Sequence, residues 1–157
     1  MAYSALLALV FIGMVINPVM AESQIPEALV MTNQGPIQMG NYQVHFSAFN
    51  SMFIPLVVAE KYNLRRNACY GIVNIAIRDV STDDLGVAVG GMVSGYAMNL
   101  LAQRSSLKFS EVKEGNAIYY LADFKFSNEE LLKFVVDVKP QRSSQSETLR
   151  FEQTFYQ

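Results

Sequence analysis

Apolar and polar residues alternate through much of the chain, most regularly between Gly115 and Val138. Ala117–Phe126 places Ile118, Tyr120, Ala122, Phe124 and Phe126 on one side. Leu131–Val138 does the same with Leu132, Phe134, Val136 and Val138, after the polar connector Ser127-Asn128-Glu129-Glu130. Period-two runs joined in this way predict an antiparallel hairpin with one buried face. Such a face requires a second sheet to cover it.

Other segments repeat the pattern. Asn41–Asn50 sets Tyr42, Val44, Phe46 and Ala48 against Gln43, His45 and Ser47, which predicts a half-buried strand. Tyr70–Arg78 turns Val73, Ile75 and Ile77 inward, and Ser81–Gly86 is a turn by composition. Val87–Leu101 is too long and glycine-rich for one flat strand, so Gly90-Gly91 and Gly95 mark a bend or bulge. Gln103–Ser106 closes that arm, Leu107–Glu114 forms one shorter strand, and Thr148–Tyr156 forms the last, with Leu149, Phe151 and Phe155 inward. Between the first two strands, Pro55 suits a helix start, and Leu56/Ala59 and Val58/Tyr62 have helical spacing. A short helix crossing one end of the fold is expected. The prediction is an all-β antiparallel sandwich of about seven strands, with a small closed barrel as the alternative.

The first 39 residues differ from the rest. Residues 1–21 carry no charge, and the first Lys or Arg is Lys61. Ala5–Ile16 is apolar, Asn17-Pro18 breaks it, and Val19-Met20-Ala21 precedes Glu22. This is the layout of a signal peptide cut after Ala21, although its start lacks the usual basic residue. An uncleaved anchor is the alternative, since the run is about the ~20 residues needed to span a membrane. Cleavage would leave no further membrane-spanning run. Residues 22–39 read as a turn-rich lead-in, with a weak strand at Ala28–Thr32, and residues 40–157 as the folded domain.

Candidate chemistry is sparse. A net charge of −2 and no basic stripe argue against nucleic acid as a partner. Cys69 is the lone cysteine and reads as a buried thiol without a partner. His45 is the sole imidazole and shares a strand face with Ser47, but no nucleophile elbow accompanies the pair. Met31, Met39, Met52, Met92 and Met98 show no tight spacing with His45, so core filling is expected rather than a copper site. Asp79, Asp83 and Asp84 lack the EF-hand pattern and read as a solvated turn. Arg65-Arg66 reads as a solvated loop pair. No metal or cofactor is expected.

Three stretches carry a family resemblance: Asn41–Ser51 (NYQVHFSAFNS), Glu114–Ala122 (EGNAIYYLA) and Leu149–Gln153 (LRFEQ). Together they resemble the domain of unknown function 4426 family, small exported proteins of Gram-negative bacteria. The resemblance covers about Gly40 to Tyr156. It implies an immunoglobulin-like β-sandwich in the periplasm and supplies no catalytic residues. The expected function is a non-enzymatic binding or scaffolding module for another envelope component, the alternative being a carrier of a small ligand or metal. The expected contact region is the face of Gln43, His45 and Ser47 with the adjoining Phe49, Met52 and Phe53. Phe49, Met52 and Phe53 gather around a turn, where they either cap the end of the core or, if exposed, mark a contact surface.

Overall fold

The computed structural model describes residues 35–83 and 85–157. The expected leader, its cleavage or anchoring, and the strand at Ala28–Thr32 lie outside them.

The domain is a sandwich of two antiparallel sheets. The strands are β1 (Ile37–Met39), β2 (Tyr42–Asn50), β3 (Tyr70–Asp79), β4 (Val87–Ala88), β5 (Gly91–Met98), β6 (Arg104–Leu107), β7 (Ser110–Glu114), β8 (Ala117–Lys125), β9 (Glu130–Pro140) and β10 (Glu147–Phe155). One sheet runs β1-β2-β3-β8-β7, with β4 paired to the upper end of β3. The other runs β10-β9-β5-β6. Both sheets are open, so the barrel alternative does not apply.

The predicted faces hold. Val44, Val73, Ile75, Ile77, Ala122, Phe134, Val136, Val138, Leu149 and Phe151 are all buried in one core. Phe124, Phe126, Phe134, Phe151 and Phe155 form its aromatic centre, with Phe124 and Phe134 edge to face at 5.0 Å. Burying such rings removes the largest apolar areas in the chain from water.

The predicted pairings need four corrections. First, β8 and β9 are not a hairpin. β8 pairs with β3 and β7, and β9 with β10 and β5. Ser127–Glu129 is an arch between sheets, and the two apolar faces cover one another. Glu129 takes φ 56 in it, and Phe126 N–H bonds the Cys69 carbonyl at 2.9 Å. Second, Leu107–Glu114 is two strands. Arg104–Leu107 is β6, in the place assigned to a closing turn, and the chain changes sheet at Lys108-Phe109 to enter β7. With these strands and the short β1 and β4, the described residues form ten strands where about seven were expected. Third, Ile37–Met39, read as lead-in, pairs with Tyr42–Val44. Fourth, the helix α1 (Leu56–Lys61) lies over a face, not an end. Its Ala59, with Leu64, packs on Ile72, Leu121 and Val112. These alternate with the inward residues of the same strands, so α1 covers the outer face of the larger sheet.

The bend expected at Gly90-Gly91 is where the chain leaves the larger sheet after β4 for β5. Gly95 makes no bulge; its register with Leu107 and Val136 is unbroken. A Cβ there would stand 2.4 Å from the Val135 carbonyl oxygen, so the site requires close backbone approach.

Candidate functional site

Asn50 ends β2 and its side chain accepts a hydrogen bond from Met52 N–H at 3.0 Å, starting the 3-10 turn Ser51–Phe53. Ser51 is fully buried. Its Oγ donates to the Asn67 carbonyl at 3.0 Å and accepts from Asn67 N–H at 3.1 Å. Arg66 reaches across from the same loop. Its Nε donates to the Ile54 carbonyl at 2.8 Å and its Nη2 to the Met52 carbonyl at 3.2 Å. Residues 50–54 are therefore held from two sides, and Pro55 directs the chain into α1. Arg65 is also engaged, bonded to Asp123 and, at 2.9 Å, to the Tyr70 hydroxyl. The loop arginines are structural rather than simply solvated.

The result is an apolar ledge. Phe53 is 80% exposed, Val57 69%, Leu56 59% and Met52 45%. The ledge combines a fixed backbone with side chains that stay largely in contact with water. A large apolar side chain left in water forgoes about 1.5–3 kcal/mol of burial, so these residues contribute little to the fold.

Gln43, His45 and Ser47 form the predicted row on the outer face of β2, opposite Arg78, Ala76 and Asn74 of β3. Phe49 continues the row but packs against the cluster under α1. The row leads toward the ledge, and Met52 and Phe53 stand beyond its end. His45 has no hydrogen-bond partner among the described residues. Partial burial of its ring, then the Arg78 charge, lower its pKa from the ordinary histidine value. It is thus a neutral imidazole near pH 7, with no acid to orient it. Asn74 Oδ1, between Ser47 and Leu121, is buried without a partner.

A second region was not foreseen. Tyr120 is buried, donates its hydroxyl to Glu111 Oε2 at 2.8 Å and accepts Gly91 N–H at 2.7 Å. It joins β7 and β8 of one sheet to the start of β5 in the other. Two grooves flank this point, of about 530 and 490 Å³, and both border Gly90 and Gln141. The one signal for this site in the sequence is a hydroxyl-bearing residue at an inward position of an otherwise apolar run. Among the described residues, no group of three or more His, Cys, Asp or Glu is placed to hold a metal ion.

The family model described as "Domain of unknown function (DUF4426)" matches residues 37–157. The chain belongs to the DUF4426 family. A crystal structure of a DUF4426 family protein from Pseudomonas aeruginosa PAO1 is similar with a TM-score of 0.69 and 28% identity, over 79% of this chain and 95% of that one. FetP of uropathogenic Escherichia coli strain F11, expressed in the periplasm of its host, has a TM-score of 0.58 at 10% identity, over 80% and 95%. A copper-bound variant of that FetP gives 0.57 at 10%, over 78% and 95%. The FetP likeness is one of fold. No curated protein is detectably similar to this DUF4426 chain in sequence. Among the described residues of the DUF4426 domain, no helix is long and apolar enough to cross a membrane.

Proposed function

We propose that this DUF4426 protein is an exported, non-enzymatic binding module that docks another protein of the cell envelope on the ledge of Met52, Phe53, Leu56 and Val57. One observation carries the reading: four neighbouring large apolar residues lie 45–80% exposed on backbone fixed by Asn50, Ser51 and Arg66. Clustered exposed apolar surface on a rigid support marks an interaction site, and aromatic anchors dominate the energetics of such sites. The neutral His45 row beside it supplies a polar rim. Export rests on the uncharged leader of residues 1–21 and on what the family resemblance implies.

The test is affinity capture from envelope extracts with the wild type and Phe53→Asp. The wild type should retain one specific protein and the variant should lose it. Because Phe53 is exposed, the variant's stability should stay within about 0.5 kcal/mol of wild type. Equal capture by both would refute the ledge as the contact.

The grooves beside Gly90 favour a second reading, carriage of a small ligand, since about 300–1,000 Å³ is the usual size of such sites. The copper-bound FetP of the same fold keeps a metal cargo within that reading. Native mass measurement of protein taken from its own host decides it. A mass above that of the bare chain supports carriage; the bare mass counts against it.

A further inference from the structure

β10 is an edge strand of nine residues, and among the described residues nothing pairs with its free side. The other terminal strands are short, and β1 covers only Tyr42–Val44 of β2. β1 has three residues, β6 four, and β7 five with Glu111, Lys113 and Glu114 among them. Short length and charge are the usual means of keeping an edge from recruiting another strand. β10 is longer, has neither Pro nor Gly, and its outward charges Arg150 and Glu152 are of opposite sign; its nine pairs with β9 run without a bulge.

The side on which each backbone group of β10 lies follows from the ladder. Gln141 N–H bonds the Gly90 carbonyl, so Gln141 faces the β5 side. Sides alternate along an antiparallel strand, so Lys139, Asp137 and Val135 also face β5, and Val138, Val136 and Phe134 face β10. Pro140, which has no N–H, faces the β10 side beyond the last pair, where none is required. The partners Glu147, Leu149 and Phe151 therefore turn their backbone groups toward β9. Thr148, Arg150, Glu152 and Thr154 present theirs outward.

We infer that β10 pairs with β10 of a second copy, antiparallel about a twofold axis at Phe151, extending the four-stranded sheet across a dimer. In this register Arg150 stands opposite Glu152 of the second copy, and Glu152 opposite its Arg150. Thr148 stands opposite Thr154 in the same way. Every outward-facing residue then meets another outward-facing residue, as hydrogen-bonded antiparallel pairs require. Opposite charges and Thr–Thr pairs are favourable directly across strands, and like charges are not. The neighbouring symmetric registers fail on this ground: an axis at Arg150 opposes two arginines, and one at Glu152 opposes two glutamates. Glu152 lies 4.0 Å from Lys133 of its own chain, a loose contact that leaves its carboxylate able to accept from Arg150 of the second copy. The contact is isologous, so it closes at two copies. It uses a different surface from the ledge and stands independently of the proposed function.

Sedimentation velocity of the full chain across micromolar to high-micromolar concentration tests the inference. The wild type should be a reversible dimer. Arg150→Glu and Glu152→Arg should each raise the dissociation constant on the order of tenfold or more, and the combined exchange R150E/E152R should restore dimerisation. Arg150→Pro should abolish it, because the N–H removed faces outward and the β9 ladder stays whole. Should that variant misfold, the two charge substitutions, at exposed Arg150 and half-buried Glu152, decide alone. A wild type that is monomeric throughout overturns the inference. So does a dimer indifferent to these substitutions, or a combined exchange that restores nothing.

Discussion

Tyr120 makes a buried polar contact between the two sheets. Its hydroxyl joins Glu111 to the Gly91 N–H, and nothing else among the described residues satisfies that amide. Tyr120→Phe should cost about 1–3 kcal/mol in denaturant unfolding, the range for leaving a buried donor unpaired. Burial, then Glu111, raise the pKa of Tyr120. A raised pKa means that the folded state holds its proton longer, so this stability is present below about pH 10 and lost as pH climbs through the folded value. Glu111 is shifted the other way, by Lys113 first and Tyr120 second. Its contribution is present above the ordinary carboxyl range and lost as pH falls through its lowered value. The phenylalanine variant should flatten the alkaline decline and part of the acid one. Unchanged unfolding curves at both extremes would contradict the assigned bonds.

At the level of elements, the strands and their inward faces were legible, and their partners were not. Alternation at Ile118–Phe126 and Leu132–Val138 fixes which side of each strand is buried. A hairpin and an arch preserve that alternation equally, so the two apolar runs read as neighbours in one sheet when they face each other across the core. The same blindness merged β6 and β7 into one strand, because a sheet change at Lys108-Phe109 interrupts pairing without adding a turn-rich stretch. Gly90-Gly91 was legible as a bend, since glycine has few other reasons to interrupt such a run. Gly95 was marked but misread. β5 crosses close over the β9 backbone there, and Gly95→Ala should destabilise by about 1–3 kcal/mol through overpacking against a carbonyl that cannot retreat. Thermal unfolding checks it; a neutral alanine would mean that β5 and β9 lie further apart.

For the whole molecule, the site was partly readable. The row of Gln43, His45 and Ser47 follows from strand period alone. The exposure of Met52 and Phe53 does not, because an apolar cluster in a sequence reads as core until the backbone shows otherwise. Here Arg66 and Ser51 tie down the turn that turns those side chains outward, through bonds to residues 12–16 positions away that no local pattern signals. The Tyr120 contact was hidden for a similar reason, since it needs three strands from two sheets. DUF4426 membership and the open sandwich are common to the fold, and the apolar ledge on rigid backbone is the feature on which the proposed docking rests. The most direct test is photocrosslinking in living cells from a photoreactive residue placed at Phe53 or Val57, with one at Asn116 as control. The ledge positions should yield one discrete heavier adduct containing a second envelope protein, absent from the control. No adduct from the ledge, or the same adducts from Asn116, would contradict the proposed docking surface.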